Sequence, residues 1–222
     1  MRNITGSGEP KAIPVFHAGD MVELQLLSTS KGNQKKWYDS KKDIYVKSQF
    51  FYQGKYWKEY LVEVISAEIG RQLPDRCVEV LAQRECRIVD AVKTVYGVYS
   101  DNFAEGLQYV SFNRILAGRG LCFDEGADIG TRWRFVLQTV EEVCKLDYTD
   151  YLITMVLMDY LIGNEDRHLN NFGVLYRDNA FFLPPLFDFG IGLFEHDLKY
   201  EHVPFRECSK TVGFKRGAAA ER

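Results

Sequence analysis

From residue 21 to 27 apolar and polar side chains alternate, the period-two signature of a half-buried strand. The small polar run at 28–34 then reads as a turn. Trp37-Tyr38 and residues 44–47 form two further strands about a polar turn at 39–43, so the chain opens as an antiparallel meander. Residues 1–20, with Gly6, Gly8, Pro10, Pro14 and Gly19, read as an irregular leader or edge. From 56 to 73 the spacing becomes helical: Tyr60, Leu61, Val64, Ile65 and Ile69 lie on or near one face, and Gly70 and Pro74 supply the stop.

Strand-like pieces follow at 77–81 and 92–99. After the polar break Ser100-Asp101-Asn102-Phe103, helical patterns dominate, at 112–116, 131–146 and 150–161, with a glycine-rich loop at 117–130. Strands therefore gather in the first half and helices in the second, which is the α+β pattern, arranged as two lobes. The expected division is an N-lobe over 1–99, a hinge at 100–105 and a C-lobe over 106–222.

Composition narrows the class. With 222 residues and 46% hydrophobic content the chain is long enough for one large domain or two small lobes around a cleft. A net charge of −3 argues against a general nucleic-acid binder. The cysteines Cys77, Cys86, Cys122, Cys144 and Cys208 are odd in number and fit no zinc spacing, so a reducing compartment is the simplest reading. The N-terminus lacks the apolar core of a secretory signal, and the apolar stretch at 152–162 is too short to span a bilayer and carries Asp159. A soluble, cytoplasmic protein is expected.

The chemistry concentrates in Gly163-Asn164-Glu165-Asp166-Arg167-His168-Leu169-Asn170-Asn171, directly after an apolar helix. Phosphoryl transfer needs a carboxylate to orient the attacking hydroxyl and oxygen ligands for the metal that bridges the phosphates. Asp166 supplies the first, with His168 beside it in the same loop, and Asn171 supplies a neutral metal ligand. A second carboxylate, Asp188, arrives in Leu186-Phe187-Asp188-Phe189-Gly190. Between the two motifs, 172–176 and 181–183 flank the turn Arg177-Asp178-Asn179, and a hairpin there would bring Asn171 and Asp188 to one metal site. Asp-Phe-Gly alone is a weak match, and Gly163-Asn164 also reads as a helix cap. The two motifs together, in order and around a hairpin, carry the assignment.

A nucleotide then belongs in the first half. Lys47 closes the strand at 44–47 and is placed to clamp phosphates and pair with a helix glutamate. Glu59 and Glu63 lie one turn apart on the following helix, and either could be the partner, with Glu59 preferred. The loop at 28–36 has a single glycine and is no P-loop, yet its N–H groups and Lys31, Lys35 or Lys36 could cradle phosphate. His196 and His202 fit no ligand set.

The motif Gly163-Asn164-x-Asp166-Arg167-His168-x-x-Asn171, followed by the strand pair and Pro185-Leu186-Phe187-Asp188, resembles the HipA-like branch of the kinase superfamily. Within it, the smaller stand-alone CtkA-like kinases are closest in type. Lys31-Gly32-Asn33-Gln34-Lys35-Lys36-Trp37 and Tyr45-Val46-Lys47 are similar to that family's phosphate loop and lysine strand, and Ser100-Asp101-Asn102-Phe103 falls where it has its hinge. The resemblance covers roughly residues 20–195 and implies a two-lobed kinase fold, ATP with Mg²⁺, and transfer to Ser or Thr of a protein. It implies Lys31, Gly32, Asn33, Asp101 and Phe103 as nucleotide contacts, with autophosphorylation at Ser28, Thr29 or Ser30. D-R-H-x-x-N also occurs in lipid kinases, so a lipid or small-molecule hydroxyl is the alternative acceptor. A binding module without turnover is the non-enzymatic alternative. Family members continue with a substantial helical segment beyond the metal aspartate, where this chain has 189–222. The C-lobe is therefore expected to be short. Val136, Val140, Ile153 and Leu157 would then need cover from a second copy or a partner chain.

Overall fold

The computed structural model describes residues 12–24, 34–52, 54–73, 78–91 and 93–193. Lys31, Gly32 and Asn33, the hydroxyls Ser28, Thr29 and Ser30, and both His196 and His202 lie outside the described residues.

The first half is built on one twisted sheet. Its strands are β1 (Val15–His17), β2 (Val22–Glu23), β3 (Lys36–Asp39), β4 (Ile44–Ser48), β7 (Arg84–Asp90) and β8 (Lys93–Asp101), in the spatial order β1-β7-β8-β4-β3-β2. A small hairpin, β5 (Phe51–Tyr52) with β6 (Lys55–Tyr56), and helix α1 (Glu59–Gln72) are inserted between β4 and β7. Every pair in the large sheet is antiparallel except β1 with β7. Side chains of alternate parity, Trp37, Ile44, Val46, Cys86, Ile88 and Val95, bury one core with Phe16.

Several boundaries differ from the sequence reading. Part of the leader is an ordered edge strand, β1. The helix begins at Glu59 rather than at Tyr56, because Tyr56 is held in β6 with its ring 4.7 Å from that of Phe51. Of the segment expected as a strand at 77–81, the described residues 78–81 make only an isolated bridge, Val80 to Leu186. The long strand β7 was overlooked, although Cys86 and Ile88 alternate there with Glu85 and Arg87.

The second half packs helices α2 (Phe112–Arg119), α3 (Ile129–Cys144) and α4 (Thr149–Ile162) against a three-stranded sheet, β11-β10-β9. Its strands are β9 (Gln108–Ser111), β10 (Gly173–Arg177) and β11 (Ala180–Phe182). Ser111 and Asp128 cap α2 and α3 with their side-chain oxygens on Arg114 N–H (3.3 Å) and Thr131 N–H (3.0 Å). Their core gathers Phe112, Leu116, Val136, Val140, Leu152, Met155, Met158 and Phe172 with Phe189 and with Ala67 of α1. Val136 and Val140 thus need no outside cover. Ile153 and Leu157, both 47% exposed, remain on the open face of α4 beside Tyr160 and Leu161. No helix among the described residues is long and apolar enough to cross a membrane.

The hairpin expected between the two motifs is present as β10–β11, turning at Asp178-Asn179. Strand β9, in a stretch of the C-lobe to which the sequence reading assigns no element, pairs β10 on its other side, with Gly173 opposite Ser111. A Cβ at Gly173 would stand 2.2 Å from the carbonyl oxygen of Val110, so only glycine lets the strands approach. The hydroxyl of Tyr148 donates to Gly173 O at 2.8 Å and fixes the hairpin to the foot of α4.

Candidate active site

Helix α4 ends where the chemistry begins. Gly163 takes the left-handed conformation (φ 64°), and the N–H of Asn164 returns to Asp159 O at 2.8 Å, closing the helix and launching the next loop outward. The helix cap and the loop carrying Asp166 are therefore one continuous feature.

Asp159 carries a buried carboxylate inside an otherwise apolar helix, and Arg167 satisfies it. The guanidinium donates to both carboxylate oxygens, at 2.8 Å from Nε and 2.8 Å from Nη2, while Asn164 Nδ2 adds a third bond at 2.7 Å. Its remaining nitrogen, Nη1, reaches Asn171 O at 3.0 Å and Phe187 O at 2.9 Å. One side chain thereby ties α4, the loop after it and the segment carrying Asp188. Burial disfavours the charge of Arg167, but Asp159 outweighs this and holds the group above its ordinary pKa. The guanidinium also lies 5.3 Å from the Phe189 ring centroid.

Within that clamp the loop 164–171 is internally bonded. Asn164 Oδ1 accepts from Asp166 N–H (3.2 Å), His168 O from Asn171 N–H (2.9 Å), and Asn171 Nδ2 turns towards Asp166 O (3.4 Å). The His168 ring shapes the turn by accepting from Asn170 N–H at its Nδ1, 3.3 Å away. Asp166 and His168 thus share a loop with Asn171. The carbonyls of Asn171 and of Phe187, the residue before Asp188, meet on a single guanidinium nitrogen. Asp188 sits at φ 62°, a strained position for a residue other than glycine and one typical of working sites.

Across the cleft, Lys47 projects from β4. Its Nζ is 2.5 Å from Glu63 Oε1 on α1 and 3.0 Å from Asp188 Oδ1. Glu63 Oε2 in turn accepts from Phe189 N–H at 3.3 Å. Burial works against the charge on Lys47, yet Asp188 and Glu63 overcome it and raise its pKa well above the ordinary lysine value. Burial would likewise raise Asp188, but Lys47 and then Lys36 pull it well below the usual carboxylate range.

This corrects the partner preferred from the sequence: Glu63 pairs with Lys47, and Glu59 does not. One helical turn separates them, and the earlier turn points to the strand connection instead. Glu59 accepts from Phe50 N–H and from Gln34 Nε2, the latter at 3.3 Å. Asp101, expected as a nucleotide contact, directs its carboxylate to Arg84 Nη1 at the surface, 3.2 Å away. Phe103 does reach the interlobe region, stacking at 5.2 Å on Phe187 with Tyr109 packed edge-on to both.

Asp159 and Arg167 carry structural work that the sequence reading does not assign them. An aspartate interrupting an apolar helix, with an arginine shortly after the helix cap, was the available signal for this pair.

A six-stranded curled sheet with one helix delivering a glutamate to a strand lysine, above a helical half carrying the loop and hairpin, defines a kinase-like fold. The crystal structure of the Helicobacter pylori proinflammatory kinase CtkA is similar to it, with a TM-score of 0.59 at 18% identity. The match covers 82% of this chain and 62% of that one, so the chain spans less than two thirds of the length of CtkA. No family model matches the sequence, and no curated protein is significantly similar to it.

Proposed function

We propose that this chain is an ATP·Mg²⁺-dependent phosphotransferase, a protein kinase acting on Ser or Thr and able to phosphorylate itself. The observation carrying this reading is Lys47 held between Glu63 and Asp188, because that bridge couples the sheet, the helix and the hairpin at one point. In the proposed assignment Lys47 receives nucleotide phosphate, Asp166 orients the acceptor hydroxyl, and Asn171 with Asp188 would hold the metal. Oxygen donors of this kind suit Mg²⁺, which when bound would neutralise charge on the transferring phosphate. Phe103 and Phe187 would supply an apolar surface for the base.

The setting fits a reducing cytoplasm, with Cys86 and Cys144 free and buried and Cys122 free and exposed. The open apolar face of α4, with Ile153 and Leu157, is the proposed place for self-association or a partner chain.

Mass spectrometry of the purified chain after incubation with ATP and Mg²⁺ tests the reading. Added phosphate on serine or threonine, absent from Asp166→Ala, is the expected result. Label transferred only to an added lipid or small hydroxyl compound would redirect the acceptor class. Nucleotide binding with no transfer to any acceptor would leave a binding module and end the enzymatic reading.

A further inference from the structure

Lysines 35 and 36 are adjacent in sequence and opposite in role. Strand alternation sends them to different faces of the sheet. Lys35 lies at the surface, bonded to Asp90 at 2.9 Å and within 3.8 Å of Glu23. Lys36 is paired in register with Lys47, its direct neighbour on the antiparallel strand. The two therefore stand side by side on the face that carries the Lys47–Glu63–Asp188 bridge.

Like charges directly opposite one another weaken a sheet. Asp188 and Glu63 offset this only from a distance: among the described residues no carboxylate lies within ion-pair distance of Lys36, whereas Lys47 contacts both. The positive field of Lys47 is the largest influence on Lys36 and, with burial, lowers its pKa despite Asp188 and Glu63. A local rule is broken beside the candidate site, which is where such violations belong. A cation of this kind is one that an anionic ligand would complete.

Its position limits the ligand. Strand β8 leads into the interlobe segment containing Phe103, and the sheet order from β8 runs to β4 and then β3. Lys36 therefore lies one strand farther from the hinge strand than Lys47. A nucleotide with its base near Phe103 meets Lys47 first and Lys36 farther along its phosphate chain. Resting on the nucleotide reading above, we infer that Lys36 is a second phosphate-binding lysine that contacts the terminal phosphate of a nucleoside triphosphate, alongside Lys47.

Equilibrium binding of Mg·ATP and Mg·ADP to the full chain, comparing wild type with Lys36→Met, Lys36→Gln and Lys36→Arg, tests this. Removing a charge-assisted hydrogen bond is expected to weaken ATP binding roughly 10- to 100-fold while changing ADP binding less than about threefold. Lys36→Arg, which keeps the charge, is expected to retain most of the ATP preference. Equal losses for the two nucleotides, or no loss for either, would overturn the assignment and leave Lys36 a strand residue. If wild type binds neither nucleotide, the underlying reading fails and takes this inference with it. Lys36→Gln, polar and close in length, supplies the same comparison should the methionine variant melt at a much lower temperature.

Discussion

Two ion-pair systems, one buried and one partly buried, meet at Phe187-Asp188 and solve different problems. Around Arg167 every guanidinium nitrogen is engaged: the Asp159 carboxylate takes Nε and Nη2, and the carbonyls of Asn171 and Phe187 take Nη1. Around Lys47 the arithmetic is left open. Lys47 contacts Glu63 and Asp188, and Lys36 stands beside it without a carboxylate of its own among the described residues. A closed polar network specifies geometry, whereas one that leaves a lysine without an ion pair of its own has a donor to offer a ligand. Stability should therefore depend chiefly on the first and phosphate chemistry on the second.

The largest effect tests the closed network. Arg167→Met strands the Asp159 carboxylate in the core and should cost about 3–5 kcal/mol of unfolding free energy in urea titrations. Combining it with Asp159→Leu removes both charges and should recover much of that stability. Turnover should not recover, because the carbonyls of Asn171 and Phe187 lose their common donor. A double variant with wild-type activity would show that the network serves only folding.

The open side should respond the other way. Asp188→Asn or Lys47→Met is expected to reduce phosphoryl transfer roughly 10²- to 10³-fold, judged by the cost of removing one preorganised electrostatic contact. Thermal denaturation should change far less than for Arg167→Met, since Lys47 and Asp188 retain 18% and 27% side-chain exposure against 2% and 1% for Arg167 and Asp159. A melting temperature that falls as far as that of Arg167→Met would erase the distinction between the two systems.

The contrast also explains what could be seen in advance. Asp166, Asn171 and Asp188 were legible because their spacing is local and the hairpin between them is short. Lys47 was legible as the end of an apolar strand. The choice between Glu59 and Glu63 was not, since both lie on the buried side of α1 and only the docking of the helix decides which meets the lysine. Lys36 was one of three candidate lysines until strand register separated it from Lys35. Strand β7 did alternate, but with charged residues at its outward positions, and β9 is a short, half-buried segment that acquires its meaning from β10. These are tertiary facts, and no local pattern encodes them.

Glu59 sharpens the comparison with the smallest expected effect, because it is a buried carboxylate belonging to neither system. It is 4% exposed, accepts from Phe50 N–H and Gln34 Nε2 through Oε1, and among the described residues Oε2 finds no partner. Desolvation dominates these hydrogen bonds and the field of Lys47, so its pKa is pushed up to about 7 from 4.5. A carboxyl whose pKa is higher in the folded state binds its proton preferentially there. The contribution to stability is therefore complete below about pH 4.5 and is lost as pH rises through about 7. Asp43, Asp128 and Asp147 have lowered pKa values and finish titrating at more acidic pH, so they do not mask this window. Between about pH 5 and about pH 8, unfolding free energy should fall by roughly 1–3 kcal/mol in wild type. Glu59→Gln, which keeps the acceptor for Phe50 and Gln34 without the charge, should remove most of that slope. An unchanged slope in the variant would assign the pH dependence elsewhere and leave Glu59 ionised in the fold, held by its hydrogen bonds as firmly as Glu63 is held by Lys47.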